Sequence, residues 1–406
     1  MSDDEPLEAD VVLMHEPVDG VPDPVTTTAA LSQAARELAA GSGPVAVDAE
    51  RASGYRYSQR AYLVQLRRAG AGTVLVDPVD LPDLSNLGAA LDGPEWILHA
   101  ANQDLPGLAD LGLHPARLFD TELAGRLLGA DRVSLGTMVE QYLGIRLEKG
   151  HSAADWSVRP LPREWLAYAA LDVELLAPLR DVLAEQLEAA GKSEWAKQEF
   201  EAVRTAARRA PRDDPWRRTS GIHTVRSRRQ LAAVRALWQV RDAYAAERDI
   251  APGRVLPDAS IIAAARADPP GAADLARLPV FGGPRQRRNL GRWITALTAA
   301  RELGEDELPA SAGPPDAVPP PARWRDRRPE AADRLVRARA VVAGLAEQHQ
   351  VLTQNLLASD VVRRIAWEPP TPATEEQIRA TLAAYGARPW QITLAAAPLA
   401  AALTPA

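Results

Sequence analysis

Every strand-like run in this chain lies before residue 100. Residues 45–48, 61–66, 73–76 and 96–99 are short and apolar, and past Arg204 no such pattern returns. Helical periodicity fills 28–40, with Thr27 or Thr28 as its cap, then 103–111, 121–129, 135–143 and, after a loop at 144–162, residues 163–189. The second and third strands are close enough to form a hairpin through residues 67–72. Strands first and helices interleaved later predict an α/β mixed sheet flanked by helices. All-α modules follow it.

The chain has 406 residues, too many for one ordinary core. The expected divisions are an acidic disordered tail at 1–26, an α/β domain at 27–203, a basic connector at 204–220 and a helical domain at 221–304. A Pro-rich linker at 305–323 leads to a second helical domain at 324–406. Residues 256–260 and 356–360 occupy similar places in the two helical blocks, a weak sign of repetition.

Net charge is −7, but residues 1–25 hold eight acidic residues and no Lys or Arg, so the body of the chain is close to neutral. Its positive charge is almost all arginine. There is no cysteine, which excludes disulfides, thiolate metal sites and a cysteine nucleophile and fits a reducing cytoplasm. The acidic N-terminus does not read as a secretory signal. No apolar run reaches the roughly 18 residues of a membrane span. The nearest, 392–403, is short and contains Pro398.

Asp48 and Glu50 lie two apart at the end of a buried strand, so both carboxylates share one face. Asp104 opens a helix just after a strand, a position otherwise used for capping. Tyr168 and Asp172, four apart, share a helical face. Each alone has a bland reading as a solvated acid, a cap or a common helical pair. Acidic groups on rigid elements from distant parts of the chain suggest a metal site for phosphoryl chemistry.

In the order Asp48, Glu50, Asp104, Asp172, with Tyr168 four before the last, the set resembles the DEDD exonuclease superfamily in its tyrosine branch, over about residues 27–190. The stretch from His151 through Trp156, Arg159, Pro160 and Leu161 to Tyr168 and Asp172 is similar to ribonuclease D in particular. Leu231, Leu237, Trp238, Arg241, Asp242 and residues 255–258 resemble the helical HRDC domain shared by RecQ-type helicases and ribonuclease D, and the last block resembles a second, more divergent copy.

The resemblance implies a ribonuclease H-like exonuclease domain followed by two HRDC-like domains. It implies a 3′-5′ exoribonuclease that trims RNA 3′ ends, with transfer-RNA precursors among the substrates, and releases nucleoside 5′-monophosphates. It implies two divalent ions, Mg²⁺ or Mn²⁺, with Asp48 bridging both, Glu50 and Asp172 completing one, and Asp104 helping to hold the other. Tyr168 would orient the attacking water. Two divalent ions suit this chemistry because they stabilise both the attacking and the leaving oxygen. Ala49 and Arg51 depart from the family pattern around the first motif, and Gln103 precedes Asp104 where relatives often carry an acid.

Softer candidates for substrate contact are His99, Lys149, Trp156 and Arg159, and Arg285, Arg287 and Arg288 after a Gly-rich turn. For Trp156 and Arg159 the alternative is anchoring of the loop. The run Arg204, Arg208, Arg209, Arg212, Arg217 and Arg218 reads as an RNA guide or a solvated connector. The partner expected is RNA, without a membrane or an obligate protein partner. Two rival readings remain at this stage, a DNA exonuclease on the same site and a non-catalytic nucleic-acid scaffold.

Overall fold

The computed structural model describes residues 12–148, 150, 153–207, 213–311 and 318–404. Lys149 and the basic residues Arg208, Arg209 and Arg212 lie outside the described residues, as does the side chain of Arg285. The chain forms two units. One holds residues up to 51, 60–207 and 318 onward; the other holds 52–59 and 208–317.

The first unit is built on a five-stranded mixed sheet. Its strands are β2 (Ser42–Arg51), β3 (Ala61–Ala69), β4 (Gly72–Val76), β5 (Glu95–Leu98) and β6 (Arg117–Asp120), in the order β4-β3-β2-β5-β6. β2–β3 and β3–β4 are antiparallel, whereas β2–β5 and β5–β6 are parallel. A separate parallel pair joins β1 (Val12–Met14) to β7 (Ile145–Leu147). The core is continuous from Leu31 and Leu38 through Val45, Val47, Leu66, Trp96 and Ile97 to Leu179 and Leu183.

Three differences from the sequence expectation have physical causes. β6 was not expected, because Arg117–Asp120 carries only two strongly apolar residues and its identity comes from pairing with β5. The long helix expected at 163–189 is two helices, Arg163–Glu174 and Leu176–Ala189, which meet at a non-helical Leu175 (ψ 8°). The expected disordered tail is structured from Val12: Val-Leu-Met pairs with Ile145–Leu147, and Val25 exchanges hydrogen bonds with β4, donating to Leu75 O and accepting from Asp77 N. Three apolar residues and an open strand edge suffice for this pairing.

The C-terminal helices, including Pro329–Gln348, Glu375–Ala384 and Pro389–Leu403, share the core of the α/β unit. Trp390 stacks on Trp195 at 4.6 Å and its Nε1 donates to Glu199. Lys192 Nζ donates to the carbonyls of Leu127 and Gln350, joining the two sequence blocks through backbone oxygen.

The second unit packs its own core around Trp216, Leu231, Val234, Leu237, Phe281 and Trp293. Trp216 is buried, so residues 213–220 of the expected connector are part of this fold. Arg241 pairs with Asp258 at 2.6 Å and also donates to Leu256 O, tying the long helix Arg228–Arg248 to the turn at 255–258. Residues 52–59 belong here as well: the backbone N–H groups of Tyr57 and Ser58 both donate to Asp249. Among the described residues no helix is long and apolar enough to cross a membrane.

Candidate active site

The site forms at the carboxyl ends of β2 and β5, where open α/β sheets place their ligands. Strand alternation puts Asp48 and Glu50 on one face. Helix Arg163–Glu174 packs against β2 and β3 and delivers Asp172. Its end is held by Arg67 on β3, whose Nη2 meets Glu174 at 3.0 Å. Asp48, Glu50 and Asp172 thereby bring one ligand oxygen each to within 4.8 Å of one another.

Asp104 arrives by a tighter route. After β5 the chain turns through Ala100, which sits in the left-handed region at φ 60°. Asp120, at the end of β6, accepts hydrogen bonds from the N–H groups of Ala100 and Ala101 and also caps the next helix through Glu122 N and Leu123 N. Asp104 precedes helix Leu105–Asp110, but its side chain makes no cap hydrogen bond, so the carboxylate is not spent on the helix. It is buried, and its Oδ1 lies 3.9 Å from Arg51 Nη2. Sequence reasoning missed Asp120; the signal was an Asp-Thr pair at a strand-to-helix junction.

Crowding sets the electrostatics. Burial pushes Asp48 up to about 6, against hydrogen bonding from the Ala49 N–H and the charge of Arg51. Glu50 is pushed up to about 10 by burial and by the charges of Asp48, Asp172 and Asp104. Burial, then the charge of Asp48, holds Asp104 and Asp172 well above the usual carboxylate range. Without a cation this cluster retains protons at neutral pH.

Tyr168 is hydrogen-bonded to Asp172 one turn away. Burial and three neighbouring carboxylates push its phenol up, so it stays protonated. Its ring is 6.5 Å from that of Trp156, and a Cβ on Gly150 would stand 3.3 Å from its Cδ2.

The donor set fits a divalent metal ion. It offers hard carboxylate oxygens whose mutual repulsion a dication would relieve. A further observation agrees. Gln65 pairs with Asp48 across β2 and β3, which puts both side chains on one face, and it is fully buried. Neither end of its amide has a partner among the described residues. A buried amide with spare donor and acceptor beside a ligand carboxylate fits the outer shell of a bound cation.

The softer candidates divide. Trp156 is fully buried and packs on Trp165 at 5.4 Å, so its ring supports the loop and is not presented to a base. Arg159 is spent on Asp77 and on the carbonyls of Tyr62, Trp156 and Val158. Both therefore anchor the loop. His99 Nδ1 lies 2.8 Å from Thr121 Oγ1, and burial lowers its imidazole to about 4, so it is neutral. Arg287 and Arg288 are exposed on the second unit, where Gln286 between Arg285 and Arg287 turns inward to Val255 O.

Comparison with known proteins agrees with this geometry. A family described as 3′-5′ exonuclease matches residues 22–188, the HRDC domain family matches 230–297, and a family described as 3′ to 5′ exonuclease C-terminal domain matches 317–403. The C-terminal block thus matches a family of its own, where the sequence suggested a second HRDC-like copy. A crystal structure of a protein from Bifidobacterium adolescentis superposes with TM-score 0.89 at 38% identity, covering 97% of this chain and 99% of that one. The structure of Escherichia coli RNase D, an exoribonuclease involved in structured RNA processing, superposes with TM-score 0.66 at 26% identity over 85% of this chain and 89% of its own. Ribonuclease D of Gluconacetobacter diazotrophicus is 32% identical over 363 residues, 86% of this chain and 88% of the relative. With an exonuclease domain followed by an HRDC domain and its acidic cluster assembled, the chain belongs to the ribonuclease D family and is a 3′-5′ exoribonuclease.

Proposed function

We propose that Asp48, Glu50, Asp104 and Asp172 hold two divalent ions, Mg²⁺ or Mn²⁺, and that this chain trims the 3′ ends of structured RNAs, transfer-RNA precursors among them. The observation that carries the reading is the convergence of Asp48, Glu50 and Asp172 within 4.8 Å, with Tyr168 bonded to Asp172. When bound, two such ions stabilise the attacking and leaving oxygens of phosphodiester hydrolysis. Asp48, Glu50 and Asp172 would hold one ion, and Asp104, with Asp48, would help hold the other.

Tyr168 aims the water. Its O–H is directed to Asp172, which leaves the phenol oxygen to accept a hydrogen bond from a water poised for in-line attack. A phenol held above its ordinary pKa is no base at neutral pH, so its contribution is orientation. Hydrolysis at the 3′-terminal linkage releases a nucleoside 5′-monophosphate and leaves the polymer one nucleotide shorter. The HRDC domain binds the body of the RNA, and structured RNA is favoured because the E. coli relative acts in structured RNA processing.

The test is digestion of matched RNA and DNA oligomers, with and without Mg²⁺, by the wild type and by Asp172→Asn. RNA should be shortened from the 3′ end only with Mg²⁺, and Asp172→Asn should lose roughly a thousandfold or more in rate while still binding RNA. Equal rates on DNA would overturn the substrate assignment, and normal turnover by Asp172→Asn would overturn the site.

A further inference from the structure

The four carboxylates are not equivalent. Asp48, Glu50 and Asp172 form a close trio, and Asp104 stands outside it. What faces Asp104 is a cation of the chain itself, the Arg51 guanidinium at 3.9 Å. That distance is a charge pairing without a hydrogen bond. The Asp104 carboxylate is buried, whereas the Arg51 side chain is 28% exposed.

Arg51 lies opposite an irregularity in the neighbouring strand. Regular alternation would turn it to the face opposite Glu50. The β2–β3 register shifts between Glu50, opposite Leu63, and Arg51, opposite Ala61, which leaves Tyr62 as an extra residue. Such a bulge bends the bulged strand and strengthens the local twist at the edge of the site. The Arg51 charge is also felt by Asp48 and Glu50, so it acts on the whole cluster.

A divalent ion on Asp104 would occupy space next to this guanidinium, and two cations so close in a half-buried site repel strongly. Arg51 has a long flexible stem and an exposed flank, so it is able to leave Asp104 without backbone movement. At the rim of a nuclease site the anion available to it is a backbone phosphate, which a guanidinium fork matches in geometry.

We propose that Arg51 is an exchangeable counter-ion. It pairs with Asp104 in the metal-free site and passes to a phosphate of the bound strand when a divalent ion takes Asp104. The inference rests on the reading that these carboxylates hold divalent ions. It makes Arg51 a substrate-binding residue whose availability is linked to metal loading.

The experiment uses the full chain and two measurements besides turnover. The first is Mn²⁺ titration calorimetry without RNA. The second is the salt dependence of binding of a short single-stranded oligoribonucleotide, with Ca²⁺ replacing the catalytic ion. Arg51→Gln should bind Mn²⁺ about five- to tenfold more tightly, because a like charge is removed. Its plot of log affinity for RNA against log salt should be shallower by about 0.7, the loss of one phosphate contact to a single strand. Arg51→Lys, which keeps the charge without the fork, should retain Mn²⁺ affinity near wild type and recover the salt slope. Unchanged or weaker Mn²⁺ binding by Arg51→Gln, or an unchanged salt slope, overturns the inference. A wild-type chain that binds no Mn²⁺, or an Asp172→Asn chain that binds it equally well, overturns the metal reading beneath it.

Discussion

Arg159 closes on Asp77 through two nitrogens, Nε at 2.5 Å and Nη2 at 2.8 Å, and the same Nη2 donates to the carbonyl of Tyr62 at 2.7 Å. Tyr62 is the extra residue of the bulge opposite Arg51. One side chain therefore joins the loop before the Tyr168 helix, the end of β4 and the irregularity at the mouth of the site. Asp77 is almost fully buried, which makes the pair costly to break from one side.

Arg159→Ala should destabilise the protein by about 2–4 kcal/mol, because it removes the charged partner of the buried Asp77 carboxylate. Urea unfolding measures this. Arg159→Lys should recover only part of the loss, since an ammonium cannot bridge the same acceptors. If Arg159→Ala weakens RNA binding at full stability, its side chain contacts substrate after all.

Asp120 is expected to control the placement of Asp104. Its carboxylate serves four backbone N–H groups, at Ala100, Ala101, Glu122 and Leu123. Asp120→Ala leaves those donors unsatisfied and should cost about 2–4 kcal/mol. Turnover of the folded variant should fall with it, and Asp120→Asn should sit between the two. Full activity in folded Asp120→Ala would show that the Ala100 turn holds its shape unaided.

Tyr168→Phe removes the phenol that meets Asp172 and keeps the ring against Trp156 and Gly150. Single-turnover RNA cleavage should slow by about a hundredfold. Mn²⁺ affinity should change by less than about twofold, because the phenol is not a ligand in this reading. A large loss of Mn²⁺ affinity would contradict the orienting role.

The carboxylate cluster predicts the pH dependence of stability in the metal-free protein. Asp48 and Glu50 are raised to about 6 and about 10, and Asp104 and Asp172 are raised as well. The folded state therefore binds more protons than the unfolded state above the ordinary carboxylate range of about 4. Stability from these groups is fully present below that range and is lost as pH rises through the folded values. In EDTA the thermal midpoint should fall between pH 5 and pH 8, and Mg²⁺ should restore most of it at pH 8. Asp172→Asn should flatten the metal-free decline. A midpoint in EDTA that rises over this interval would show that the carboxylates are not crowded in solution.

The sequence by itself determined the chemistry available. Asp48 and Glu50 share a strand face, and Tyr168 and Asp172 share a helix face, because local periodicity alone dictates these relations. It also separated the sheet-bearing region from the helical ones, since apolar runs flanked by turn residues are local signals. What it left open depends on non-local contacts. Nothing near Arg117–Asp120 marks a strand until β5 supplies its partner. Nothing in the run from Trp156 to Arg159 tells an anchor from an RNA contact until Asp77, Tyr62 and Trp165 close around it. Gln65 is unremarkable in the sequence, and Arg51 stands out there only as a departure from the family pattern. Gln65 acquires its place from the register opposite Asp48, and Arg51 acquires its partner only when Asp104 folds back beside it, and both are relations between distant segments.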